Sequence, residues 1–468
     1  MNSRIAVRVL PVVAWIASTA AMGVADELAK PTATVAVNAV SNRGPLQWPQ
    51  YRGPNRDGVS SEQVKWPAAG PKKVWEIELA KGYGSMTVQQ GRLYVLGTPG
   101  KGSDLSCAST YCLDAATGKT LWEHRTDKVA DVTGATPSVT DGRVVSVGPG
   151  GELVCLDADS GKLLWEVRMR LKNNPYCYGS SPLIHGDKVI VQAGPSIRAF
   201  AVADGKEVWK ADWAIPDGGG RWTSPALGTF DGTNTVVCLS RSNLVGLDPA
   251  DGKLLWKLDL ETNPSGEDLF NTPIITGNRV VCMAYRLTGA RSTRLICVEV
   301  RGGKPKECWR APIRTGNRSQ SPAIWDHCVY LTSDTSPIKT PQDSRGRLIC
   351  YDLQTGKVVW ISSAPESTGP PPSGKLEIWN DGGAFMIAGG KVLLLDGTGR
   401  ISMADVSAKG CTVLGSTDFD EDARVPGGDP KSRGPLQSRF QFLTPPLLLN
   451  GLLYVRDHEK MVCYDLRE

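Results

Sequence analysis

Histidine is scarce in this 468-residue sequence: His124, His185, His327 and His458 are the four, widely separated along the chain. That spacing builds no zinc site and gives no credible base for a Ser-His-Asp arrangement. Twelve cysteines are present, but no Cys-x-x-Cys and no two adjacent cysteines occur. No cysteine precedes Cys107, so a lipid-modified N-terminus is not expected. Charge of one sign is also lacking. With 53 Lys and Arg against 48 Asp and Glu, the net charge of +5 is spread along the chain, and there is no electrostatic case for nucleic acid. No stretch is long or periodic enough to predict a helix. Phenylalanine is rare at 7 residues, yet tryptophan reaches 14, with 51 glycines and 32 prolines around it.

The tryptophans mark a repeat. CLDAATGKTLW at 112–122 returns as CLDADSGKLLW at 155–165, GLDPADGKLLW at 246–256 and CYDLQTGKVVW at 350–360, with a looser AFAVADGKEVW at 199–209. Ahead of most stands Ser-Pro or Thr-Pro, an apolar run and a glycine turn, as in TPSVTDGRVVSV from Thr136 and SPLIHGDKVIV from Ser181. Each unit therefore reads as four short strands joined by hairpin turns. The early proline suits a strand start, where its missing N–H need not enter the ladder. Repeats at this period predict propeller blades.

Phrase starts at Cys112, Cys155, Ala199, Gly246, Cys297, Cys350, Met403 and Cys463 count eight blades. The copy at Met403 is degraded, with Val413 where Trp is expected. The ends complement each other. Trp75 has a closing strand without its phrase, and MVCYDLRE at 461–468 has a phrase start without its Trp. An N-terminal strand that completes the last blade would close the ring and leave no free edge. The fold predicted is all-β: an eight-bladed propeller of four-stranded antiparallel blades.

The phrase resembles the tryptophan-docking motif A-x-D-x-x-T-G-x-x-x-W of the pyrroloquinoline-quinone (PQQ) propeller repeat family, over roughly residues 74–468. WPQYRGPNRDGVS at 48–60 is similar to a segment that precedes the propeller in exported members. The family includes quinoprotein alcohol dehydrogenases and the propeller lipoprotein of the outer-membrane barrel-assembly machinery. The resemblance implies the fold, but fold does not carry function with it.

Residues 1–25 read as a secretory signal, with Arg4 and Arg8, an apolar run from Val9 to Ala17 and small residues to Ala25. Residues 26–70 read as tether and lead-in, and 71–468 as the propeller. A periplasmic, monomeric protein that does not span the membrane after signal removal is expected. Five cysteines (Cys112, Cys155, Cys297, Cys350, Cys463) take position one of the phrase, where a small buried side chain is expected. Cys107 and Cys112 flank a short loop and could pair. Cys282 and Cys328 fall on second strands.

Residues just before each Ser/Thr-Pro should crowd one axial mouth. They are Tyr178, Arg221, Trp222, Phe270, Asn271, Arg318, Gln320, Trp379, Asn380, Asp381, Arg439, Phe440 and Gln441. Convergent polar and aromatic groups at a concave mouth make a candidate ligand site. Asp381 and Asp268 are the carboxylates placed there, and Asp381 is the one catalytic candidate. Active enzymes of the family hold PQQ between a Trp floor and a vicinal disulfide, with calcium and an Asp base. Trp222 or Trp379 could supply the floor, and Asn380 with Asp381 oxygen ligands, but the vicinal cysteines are missing. The expectation is therefore a non-enzymatic binding or scaffold module without cofactor or metal, its partner a protein or a small ligand. A PQQ-dependent dehydrogenase and an outer-membrane assembly factor are the alternatives.

Overall fold

The chain divides into Met1–Gly44 and Pro45–Glu468. The computed structural model describes residues 47–99, 107–127, 133–169, 179–193, 196–212, 223–240, 242–260, 271–285, 293–313, 321–334, 346–362, 383–396, 399–419 and 444–467. Among these there is no helix, and so none that could cross a membrane. The strands form eight sheets.

Blades 1 to 7 run from first to fourth strand: Met86–Gln89 to Thr120–Asp127, Ser138–Thr140 to Leu163–Arg168, Leu183–His185 to Glu207–Ala211, Ala226–Phe230 to Leu254–Asp259, Ile274–Thr276 to Lys304–Ile313, Ala323–Trp325 to Val358–Ile361, and Ala384–Ala388 to Gly410–Asp418. Blade 8 takes Leu447–Leu449, Leu452–Arg456 and Lys460–Asp465 from the end of the chain, and Lys72–Glu78 from its beginning. Lys72–Glu78 pairs antiparallel with Lys460–Asp465, setting Trp75 against Cys463. The ring is closed by the N-terminal strand, so no sheet edge is left open inside it.

Every blade carries a β-bulge at the same place, where position one of the phrase meets the closing residue of the fourth strand. A bulge adds twist and re-aims the side chain beside it. Here it turns each indole toward the next blade. Trp75, Trp122, Trp165, Trp209, Trp309 and Trp360 donate Nε1–H to Ala115, Ala158, Val202, Pro249, Leu353 and Ser407 carbonyls, all at 2.7–3.1 Å. The turn glycine of the next blade lies under the ring at Gly118, Gly161, Gly205, Gly252 and Gly356. A Cβ added to any of them would meet indole carbon at 2.4–2.8 Å, and each has φ of 68–74°.

The repeat Asp holds that turn. Asp114 Oδ1 accepts from Thr117 N at 2.9 Å and from Thr117 Oγ1 at 2.8 Å, and Asp157 and Asp352 repeat the pattern. Hydrogen bonds from Ser160 hold the exposed Asp157 carboxyl below its usual range.

Two seams differ. In blade 5 the phrase is two residues longer, Cys297 to Trp309, and Gly302–Gly303 form a tight hairpin in which Arg301 pairs with Lys304. Trp256 of blade 4 does not reach Gly303, and its buried Nε1 has no partner. It lies edge-on to Phe230 at 5.9 Å. Asp231 joins this seam instead, accepting from Asn278 Nδ2 (2.9 Å) and from Gly302 N (2.6 Å).

Blade 7 corrects the sequence reading. Val413 pairs with Ala404, whereas Gly415 pairs with Met403 and so stands at the tryptophan position. The aromatic comes from elsewhere. Trp66 lies on Gly415, where a Cβ would meet its Cδ1 and Nε1 at 2.2 Å.

The cysteine positions are also resolved. All five position-one cysteines are fully buried, and the eleven described cysteines carry free thiols. Cys107 and Cys112 belong to one continuous strand, Cys107–Asp114, and do not flank a loop. Successive residues along it alternate faces, and the two are unbonded. Cys282 pairs with Ile296 on the third strand of its blade, and Cys328 with Asp352.

Candidate functional site: the axial channel

First strands of successive blades lie side by side around the axis. The Ser/Thr-Pro dipeptides at their starts form a belt. Ser85 N donates to Thr136 Oγ1, Thr136 N to Ser181 Oγ, Ser181 N to Ser224 Oγ and Thr272 N to Ser321 Oγ, at 2.8–2.9 Å. The hydroxyl thus satisfies the neighbouring blade's buried N–H, while the following proline has none to satisfy.

Residues 48–60, read from the sequence as lead-in, are built into this channel. Trp48 bridges Val88 in blade 1 (2.8 and 2.9 Å), and Val139 N of blade 2 donates to Pro49 O at 2.8 Å. Ile387 N of blade 7 donates to Gly58 O at 2.9 Å, and Val59–Ser60 run parallel to Ile387–Ala388. Gly451 N of blade 8 donates to Glu62 Oε2 at 3.0 Å. The segment therefore passes along the inner side of the ring from blades 1 and 2 to blades 7 and 8.

Its two arginines hold it there. Arg56 donates to Ser181 O (3.0 Å) and Pro182 O (2.9 Å) in blade 3. Arg52 donates to Ser321 O (3.2 Å) and Pro322 O (2.6 Å) in blade 6, and to Asp57 O (2.7 Å) in its own loop. Both are 2 % exposed. Both backbones take left-handed φ, 61° and 58°, a conformation that costs about 1 kcal/mol or more for a non-glycine residue and persists only where surroundings enforce it. Gly53 and Gly58, with φ of 85° and 74°, leave room for the Trp48 ring and the Arg52 guanidinium respectively. Burial pushes Arg56 down to about 10, still charged at neutral pH, and lowers Arg52 as well. Asp57 is raised, mainly by its own burial. Sequence reasoning missed these two arginines. Their signal was the glycine-rich RGPNRDG spacing, which a simple tether would not need.

Of the residues assigned to the axial mouth, Asn271 is described. It is 1 % exposed, and its Oδ1 accepts from Met283 N at 3.3 Å, tying it to the second strand of its own blade. Tyr178, Arg221, Trp222, Phe270, Arg318, Gln320, Trp379, Asn380, Asp381, Arg439, Phe440, Gln441 and Asp268 lie outside the described residues. Among the described residues no three His, Cys, Asp or Glu side chains gather into a metal site. The axis there offers guanidinium donors, hydroxyls and backbone carbonyls.

The family described as outer membrane protein assembly factor BamB matches residues 106–362. The chain belongs to this family. Comparison with curated protein sequences returns no match. Among solved structures, BamB from Moraxella catarrhalis is 17 % identical with a TM-score of 0.56, covering 84 % of this chain and 99 % of that one. Quinohemoprotein alcohol dehydrogenase from Comamonas testosteroni is 14 % identical with a TM-score of 0.58, covering 89 % and 80 %. A europium-containing methanol dehydrogenase is 12 % identical with a TM-score of 0.52, covering 91 % and 99 %. At these identities the structural likeness speaks for the fold alone.

Proposed function

We propose that this BamB-family propeller is an exported, non-enzymatic scaffold that binds a protein partner at its axial mouth. The observation that carries the reading is the internal segment. Space on the axis, where a propeller can hold a small ligand, is taken by residues 48–60, anchored through Arg52 to blade 6 and through Arg56 to blade 3. The remaining candidates are the residues that precede the Ser/Thr-Pro dipeptides in sequence. Arg221 and Arg318 among them are bidentate donors suited to carboxylates on a partner. The family description, an outer-membrane assembly factor, favours a partner in that machinery and a periplasmic location.

Two experiments test this. Reconstitution with PQQ and calcium, followed by dye reduction over alcohols and aldoses, is expected to give no turnover. Turnover abolished by Asp381→Asn would replace the proposal with a dehydrogenase. Capture of outer-membrane assembly components from envelope extract should weaken in Arg221→Ala and Arg318→Ala but not in Lys162→Ala, which lies on a blade rim. Equal loss in all three would move the interface to the rim.

A further inference from the structure

Blade 5 departs from its neighbours at a second place. In the bulge before the closing Trp, blades 8, 1, 2, 3 and 6 expose an aliphatic side chain: Val74, Leu121, Leu164, Val208 and Val359. Blade 5 has Cys308 there, exposed to solvent. The register sets Cys297 against Trp309 and Val298 against Glu307, leaving Cys308 as the extra residue opposite Cys297. The bulge sets the two residues across from each other on neighbouring strands, and Cys308 Sγ faces Lys306 O at 3.9 Å. Blade 6 holds a second pair on neighbouring strands, Cys328 and Cys350, diagonal in the register, but both of those are buried. Access separates the two pairs.

We propose that Cys297 and Cys308 form a redox-active pair that closes into a disulfide by exchange with an external disulfide. The proposal rests on the export reading only for where that oxidant is met. The Cys308 thiolate attacks one sulfur of a disulfide RSSR, giving a mixed disulfide and releasing one thiolate. Cys297 then gives up its proton and displaces the second thiolate. Two protein thiols lose two electrons, and RSSR is reduced to two RSH. Burial pushes the Cys297 thiol up to about 12, so exposed Cys308 makes the first attack and closure by Cys297 is the slower step. The bond would pin the bulge beside Trp309, whose indole donates to Leu353 O across the seam to blade 6. Oxidation should therefore raise the melting temperature.

Purified full-length protein is treated with oxidised glutathione, denatured, alkylated, digested without reductant and mapped by mass spectrometry. The expected product links the peptide carrying Cys297 to that carrying Cys308, while Cys328 and Cys350 are alkylated. Cys308→Ser should lose both the link and the rise in melting temperature. A stable glutathione adduct on Cys308 with Cys297 alkylated would overturn the proposal, as would a Cys308 link to a second copy. Closure in vitro by a protein found confined to the cytoplasm would leave the pair standing and remove the export reading.

Discussion

The seam between blades 5 and 6 and the seam between blades 4 and 5 join similar sheets by different chemistry. At the first, Trp309 is buried over Gly356 and its Nε1 is paired with Leu353 O. At the second, Trp256 is equally buried, but its Nε1 is orphaned and the blades are tied by the Asp231 carboxylate at the surface. The cause is local. A hairpin built on Gly302–Gly303 replaces the Asp-capped turn, so the receiving glycine is out of reach. The lesson is that aromatic burial is common to both seams, while the directional part of each seam is separable from it. The seam after blade 7 extends this, because its aromatic, Trp66, arrives from a distant part of the chain.

The largest effect should follow loss of a seated indole. Trp309→Ala removes a buried aromatic and leaves a cavity, and should cost about 3–5 kcal/mol in denaturant unfolding. Trp66→Ala should cost somewhat less, about 2–3 kcal/mol, because Trp66 is only partly buried. Phenylalanine substitutions sharpen the contrast. Trp309→Phe should cost about 1 kcal/mol through the lost bond to the Leu353 carbonyl, which keeps Arg279 as a donor, whereas Trp256→Phe should cost less than about 0.5 kcal/mol, having no hydrogen bond to lose. Equal costs at both sites would mean that the orphaned Nε1 of Trp256 is satisfied in solution. Asp231→Ala, which breaks the substitute tie, should cost about 1 kcal/mol.

An effect of similar size to the Asp231 tie is a pH dependence at the closing seam. His458 of blade 8 stacks on Tyr83 ahead of blade 1, with centroids 4.6 Å apart. Burial, then the neighbouring Arg456 charge, lowers it from 6.5 to about 4. The unfolded chain takes up this proton first as pH falls. The contribution is therefore full above pH 6.5, is lost between 6.5 and about 4, and changes no further below that. After allowance for solvent screening it amounts to about 1 kcal/mol. His458→Phe should flatten the unfolding midpoint across that window while keeping the ring contact.

Much of the ring could be read from the sequence because most blades announce themselves locally: Ser/Thr-Pro, turn glycine, phrase, Trp. Closure was legible for the same reason, since Trp75 and Cys463 carry complementary fragments of one pattern. A hairpin two residues longer than the usual phrase, Met403 to Gly415, hid the tryptophan position in blade 7. Counting from Met403 without that extra length leads to Val413, two residues short of Gly415. The roles of Trp66, Arg52 and Arg56 were not legible at all. Their partners at Gly415, Ser321–Pro322 and Ser181–Pro182 lie more than a hundred residues away, and a backbone carbonyl leaves no mark in the sequence. The axial mouth was inferred from position alone, and Asn271 shows the risk: its side chain serves the second strand of its own blade.

The claim that the lead-in supplies the aromatic missing from blade 7 is tested most directly by a double-mutant cycle between Trp66 and Gly415, read as unfolding free energies. Trp66→Ala should destabilise. Gly415→Trp alone should also destabilise, because two indoles would compete for one space. The double variant should recover part of both losses, giving a favourable coupling of at least about 1 kcal/mol. Additive losses would mean that Trp66 does not occupy the tryptophan position of blade 7.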